Sequence, residues 1–168
     1  MEHRPNKRVE RKSSRTNTRN VQPHAHDSYR HDRKTKHAIV CDECGVVFHG
    51  GRWYWGAPPL GDEEGGLCPA CARIRDGYPA GSIELKDVPD TLRDEVLRMI
   101  RNVEDQEKDE HPLERLMEVE ERDGMLVATT TGTHLPRCIA GALRRRFHDG
   151  VAIRYPDGEG LVRVMWEA

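Results

Sequence analysis

The chain has 168 residues, enough for one ordinary domain or two small ones. Charged residues make up 33% and hydrophobic ones 36%, polar for a globular protein, so part of the chain is expected to stay unpacked. No run of about 18 apolar residues occurs, which excludes a membrane-spanning helix, and Met1-Glu2-His3-Arg4-Pro5 leads into no apolar segment, which argues against a secretory signal.

A cytoplasmic location is therefore expected. Disulfides are rare there, so paired cysteines read first as a metal site. The near-neutral total charge hides an asymmetry. Residues 1–36 hold eleven Lys/Arg against four Asp/Glu, a net of +7, and the other 132 hold sixteen against twenty-five, a net of −9. A basic arm on an acidic body suits a polyanionic partner, usually nucleic acid, or serves only as a solvated tail.

Along the chain, residues 1–37 carry almost no large apolar side chains, and Val9, Val21 and Tyr29 are the exceptions after Met1. Such a segment cannot offset its ordering entropy by burial, and a disordered basic tail is expected. Its histidines, His3, His24, His26, His31 and His37, read as part of that polar tail. Order is expected from Ala38-Ile39-Val40. Val46 to His49, Gly50-Gly51 and Arg52 to Trp55 read as a β-hairpin closed by a primed turn. Gly56 to Gly66 reads as a loop, and Asp76 to Gly81 as a boundary.

Beyond the boundary, Ser82–Leu85 reads as a strand. Asp90 can cap a helix to about Glu110, with Leu92, Val96, Leu97, Ile100 and Val103 on one stripe. Pro112 ends it, because the residue before proline is pushed out of helical geometry. Leu116–Arg122 and Met125–Thr130 flank Asp123-Gly124, a hairpin signal. Thr133 can cap a second helix lined by Leu135, Ile139, Leu143 and Phe147, with Gly150 as its stop. Val151–Tyr155 and Leu161–Trp166 form a last hairpin around Asp157-Gly158. The order β-α-β-β-α-β-β predicts an antiparallel sheet with helices on one face.

The strongest chemical signal is Cys41-Asp-Glu-Cys44, then 23 residues, then Cys68-Pro-Ala-Cys71. Four thiolates suit a tetrahedral zinc ion at about 2.3 Å each. Two residues between paired cysteines let both sulfurs reach one ion from a tight turn, Gly45 permits the first turn, and Pro69 fixes φ in the second. The intervening hairpin brings the pairs together as a zinc ribbon. One structural zinc is expected, ahead of iron, because a catalytic ion keeps an open position that four thiolates fill. A dithiol redox role is the lesser alternative.

Cys138 reads as an inert buried thiol, with His134 four residues earlier as its one local base. Arg137, Arg144, Arg145 and Arg146 make the second helix basic, and Arg52, Arg73 and Arg75 add charge near the ribbon. Their forks match phosphate geometry, and Trp53, Tyr54 or Trp55 could offer a stacking face, though Trp53 and Trp55 read first as core. Residues 102–123 carry ten Asp/Glu against three Lys/Arg, a strip that repels phosphate or meets a basic protein, and its carboxylates show no metal spacing. No Gly-Lys dipeptide occurs, which excludes a Walker A loop and a nucleoside triphosphate, and no G-x-S-x-G or H-E-x-x-H appears. No enzyme activity is expected.

The stretch Cys68-Pro-Ala-Cys-Ala-Arg-Ile-Arg-Asp-Gly-Tyr-Pro-Ala-Gly81 is similar to an uncharacterised bacterial zinc-ribbon protein family, as are Asn102–Glu107, His111-Pro112-Leu113 and Thr133-His134-Leu135-Pro136. That resemblance covers roughly residues 38–168. More faintly, the ribbon resembles that of the large-ribosomal-subunit export adaptor of archaea and eukaryotes, which has more cysteine pairs than the two here. The resemblance implies a ribosome or RNA connection. The expectation is an α+β protein with a tail over 1–37, a zinc ribbon over 38–77 and an α+β domain over 78–168. It binds RNA or the ribosome, or else serves as a protein adaptor through the ribbon or the acidic helix end.

Overall fold

A computed structural model describes residues 27–29, 36–61, 63–156 and 161–168. The expected disorder of the tail falls almost wholly outside these residues. The first half is a four-stranded sheet of β1 (Ala38–Cys41), β2 (Val47–His49), β3 (Arg52–Tyr54) and β4 (Glu63–Gly66), in the order β3-β2-β1-β4. Gly50 and Gly51 both have positive φ, at 61° and 84°, so β2 and β3 close through the glycine turn that the sequence predicts. Two elements differ from expectation. The stretch read as loop contains β4, which runs parallel to β1 with Ala38 opposite Glu63 and Cys41 opposite Gly66. The second cysteine pair opens a helix, α1 (Pro69–Asp76), in place of a bare turn. Pro69 fits there because a first-turn residue needs no N–H partner.

The second half follows the predicted order: β5 (Gly81–Lys86), α2 (Asp90–Glu110), β6 (Leu116–Arg122), β7 (Met125–Thr130), α3 (His134–Phe147), β8 (Val151–Arg154) and β9 (Val162–Glu167). The turn at Asp157-Gly158 lies outside the described residues. The strands form one sheet in the order β6-β7-β5-β9-β8. It is mixed, not antiparallel as expected, because β9 runs parallel to β5 with Ile83 opposite Val164 and Leu85 opposite Trp166. The two strands lie at opposite ends of this half, so no turn signal marks their pairing.

The alternation of the strands puts Ile83, Leu85, Leu126, Ala128, Val164 and Trp166 on one face. Against that face pack Val96 and Ile100 of α2 and Leu135, Ile139, Ala140 and Leu143 of α3, and most of this cluster is fully buried. Both helices therefore cover one side, as the stripes predict. The other side carries ion pairs such as Arg163 with Glu84 (3.2 Å) and Lys86 with Glu167 (3.3 Å).

The caps differ in detail. Asp90 is the first helical residue behind Pro89, which makes no side-chain cap, and the α2 ladder ends at His111, outside helical geometry, before Pro112. Thr133 makes no side-chain cap on α3. Glu114, from the loop before β6, takes that role: its carboxylate accepts from the His134 and Leu135 backbone N–H groups at 3.3 and 2.8 Å. At the other end α3 stops at His148, which has a φ of 70°, two residues before the predicted Gly150. Glu114→Ala is expected to lower stability by about 1–2 kcal/mol through loss of this cap, read from urea unfolding. An unchanged midpoint would show that the α3 terminus does not depend on Glu114.

Candidate metal centre

The first cysteine pair sits where β1 ends. Cys41 accepts from Gly45 N–H through its carbonyl at 2.8 Å and donates its N–H to Val46 O at 2.9 Å, which folds residues 41–46 into a tight knuckle. Gly45 has a φ of 75°, a conformation that side-chain-bearing residues rarely adopt. The second pair is built differently. Cys68 is the N-cap of α1, with extended backbone, and its sulfur accepts from the Cys71 N–H at 3.4 Å. The Cys68 N–H in turn points at Cys41 Sγ, also at 3.4 Å.

These two local structures bring all four sulfurs within 4.8 Å of one another. Cys44 Sγ and Cys68 Sγ are 3.7 Å apart. Bonds of about 2.3 Å at tetrahedral angles place sulfur atoms about 3.8 Å apart, so the spacing suits one ion, and none of the five cysteines is disulfide-bonded. Cys41, Cys68 and Cys71 are buried and Cys44 half-buried. With Val46 and Ala70 they form the small core of this half, against which Trp53, Leu67 and Leu113 pack.

The electrostatics favour a bound cation. Burial raises the Cys41 thiol, but the N–H groups of Cys68, Cys44 and Glu43 outweigh it and bring the thiol down to about 7. Burial pushes Cys68 up to about 11. Burial and then the neighbouring Cys68 and Cys44 push Cys71 up as well. Cys68 and Cys71 therefore do not ionise beside Cys41 unaided, and a divalent ion relieves the repulsion.

One residue of this centre escaped the sequence. Arg115, at the start of the β6 hairpin, donates from Nη2 to Cys44 Sγ at 3.2 Å and from Nη1 to Cys71 Sγ at 3.5 Å. Its Nε donates to Pro112 O at 2.8 Å and its backbone N–H to Thr131 Oγ1 at 2.9 Å, so the guanidinium is aimed from the second half of the chain. Burial opposes its charge, but the hydrogen bond to Cys44 and the charges of the sulfurs prevail, and its pKa is raised. The Trp55 ring lies 5.5 Å from the guanidinium carbon, and Trp55 Nε1 donates to Lys108 O at 2.7 Å. Trp53 packs on the cysteine core as expected, while Trp55 remains 40% exposed. Nothing in the spacing of Arg115 within an acidic strip marks it as a partner of sulfur.

The seven arginines read as phosphate ligands differ in exposure. Arg73 is buried and is removed from that set. Its Nη2 reaches Asp27 Oδ1 at 2.6 Å, its Nη1 donates to Tyr78 O at 3.2 Å, and its guanidinium lies 4.4 Å from the Tyr29 ring. Arg52 is exposed on β3, and Arg75 pairs with Asp76 at 3.2 Å. Arg137, Arg144, Arg145 and Arg146 are exposed on α3. Three of them have intramolecular partners: Arg137 with Thr133 O at 3.0 Å, Arg144 with Val151 O at 3.2 Å and Arg146 with Glu95 at 2.5 Å.

A second group was also missed. Glu107, His111 and His134 bring one ligand atom each within 4.8 Å of the others. Cys138 Sγ stands 3.3 Å from His134 Nε2, and burial and then Glu107 push this half-buried thiol up to about 11, so it is a poor nucleophile. The pairs Glu107/His111 and His134/Cys138 each span four residues, a spacing that stacks side chains on one helical face, and that was the available signal. No family model, curated protein or solved structure matches this chain.

Proposed function

We propose that Cys41, Cys44, Cys68 and Cys71 hold one structural zinc ion, and that the chain is a cytoplasmic zinc-ribbon protein that binds RNA or the ribosome. The donor set supports the metal: four thiolates at tetrahedral spacing fill the shell, leave no position for a substrate and give the centre no catalytic role. The ion would hold two knuckles together, and Arg115 would offset part of the −2 charge that four thiolates leave on zinc.

The observation that carries the RNA reading is the segregation of charge, +7 over residues 1–36 against −9 elsewhere. Arg144, Arg145 and Arg146 add an exposed basic helix end, with Arg52, Arg75 and Arg137 as further candidates. The arm would supply salt-sensitive attraction and the arginines would position phosphates.

The test is binding of a mixed-sequence single-stranded RNA oligonucleotide to the full chain at increasing salt. If about seven charges engage phosphate, affinity falls about a thousandfold between 50 and 200 mM salt. Deleting residues 1–36 removes most of that slope, and replacing Arg144, Arg145 and Arg146 by alanine weakens binding at all salts. Salt-independent binding, or none, refutes the reading.

A further inference from the structure

We propose that Glu107, His111 and His134 form a second metal site, for a divalent late first-row cation such as zinc, distinct from the four-cysteine centre. The proposal goes beyond the RNA reading and does not depend on it. Glu107 lies in the last turn of α2, His111 is the residue on which that helix ends, and His134 opens α3. The junction of the two helices thus presents one carboxylate and two imidazoles to a common point.

The distances suit a small cation. His134 Nε2 is 3.0 Å from Glu107 Oε2 and His111 Nε2 is 4.0 Å from it. Metal bonds of about 2.0–2.1 Å at tetrahedral angles put donor atoms about 3.3 Å apart, between the two. The imidazole rings meet edge-on with centroids 5.0 Å apart. One carboxylate faces both imidazoles at the same point. A metal ion uses both rings neutral and satisfies all three groups at once. Among the described residues the ion-pair partners of Glu107 are these two histidines, and no Lys or Arg competes for it.

The site is also reachable. The side chains of His111, His134 and Glu107 are 51%, 44% and 24% exposed. Beside them lies a cleft of about 410 Å³, walled by Trp53, Pro112, Leu113 and Glu114 as well as the two histidines. Cys138 stands at the edge of the group, with its Sγ 3.3 Å from His134 Nε2 and hydrogen-bonded to Glu107. The four-cysteine centre is mostly buried, whereas this group is partly exposed.

The experiment is a titration of Co²⁺ into the full-length protein whose four-cysteine centre already holds zinc, followed by calorimetry and by the visible spectrum of the cobalt. One further equivalent is expected. Glu107→Gln, which keeps side-chain size, and His134→Ala should each weaken it at least tenfold while the melting temperature of the zinc-loaded protein without Co²⁺ stays within a degree or two of wild type. The histidines of residues 1–37 contribute a background that these variants leave unchanged, so the difference isolates the site. Should wild type and Glu107→Gln take up Co²⁺ with the same stoichiometry and affinities within twofold, the site does not exist. A His111→Ala variant serves the same comparison if His134→Ala fails to fold.

Discussion

Cys68→Ser is expected to abolish tight metal binding and to unfold the first half of the chain while leaving the second half folded. The reason is where each half keeps its apolar contacts. The central cluster of the first half consists of Cys41, Val46, Cys68, Ala70 and Cys71, so three of its five buried members are ligands, and outside it this half buries only Ala38, Val47 and Phe48 of β1 and β2 among its described apolar residues. Removing the ion removes its main internal bond, and structural zinc supplies about 10–16 kcal/mol of apparent folding free energy in small domains. The second half has its own core around Ile83, Leu85, Ile100, Ile139 and Val164, with no cysteine in it. Cys68 is the most informative ligand to change because it also caps α1, so helix and metal should be lost together. Far-ultraviolet circular dichroism and the fluorescence of Trp53 and Trp55 would follow the first half, and urea unfolding the second. Acid should act like the mutation, since protons compete with zinc for the sulfurs. A variant that keeps its metal and both transitions would contradict this account.

Arg115→Met should weaken metal binding about 10–100-fold, the range typical for groups that hydrogen-bond to metal ligands. Methionine keeps the bulk and removes both donors to sulfur. Arg115→Lys should not restore affinity, because one ammonium cannot span Cys44 and Cys71 as the planar fork does. The same change should loosen the two halves, since the Arg115 guanidinium joins the thiolates of one to the Pro112 carbonyl of the other. Competition with a chromophoric chelator measures the affinity, and limited proteolysis near Gly77 measures the loosening. Wild-type affinity in Arg115→Met would mean that the guanidinium contributes nothing to the centre.

What the sequence discloses follows from how local each signal is. The cysteine pairs, the apolar stripe of α2 and the Asp123-Gly124 hairpin are written within a few residues of themselves, and each is found in place. The features that escape are pairings over distance. β4 has the sequence Glu-Glu-Gly-Gly, with no apolar alternation, and exists because β1 offers it a ladder. The α1 helix spans eight residues, too short for a periodic pattern, and its proline sits where a knuckle could equally use it. Arg73 looked like a surface charge until Asp27, Tyr29 and Tyr78 closed over it. Arg115 stands 71 residues from Cys44, and His134 27 from Glu107. Neither partnership can be read without the fold that makes it.

The most direct test of the central claim is X-ray absorption at the zinc edge of the purified full-length protein carrying one equivalent of metal. A shell of four sulfur atoms at about 2.3 Å, with no nitrogen or oxygen, is the predicted result. A protein that retains no metal, or whose tightest ion shows a mixed shell of sulfur with nitrogen or oxygen, would contradict it.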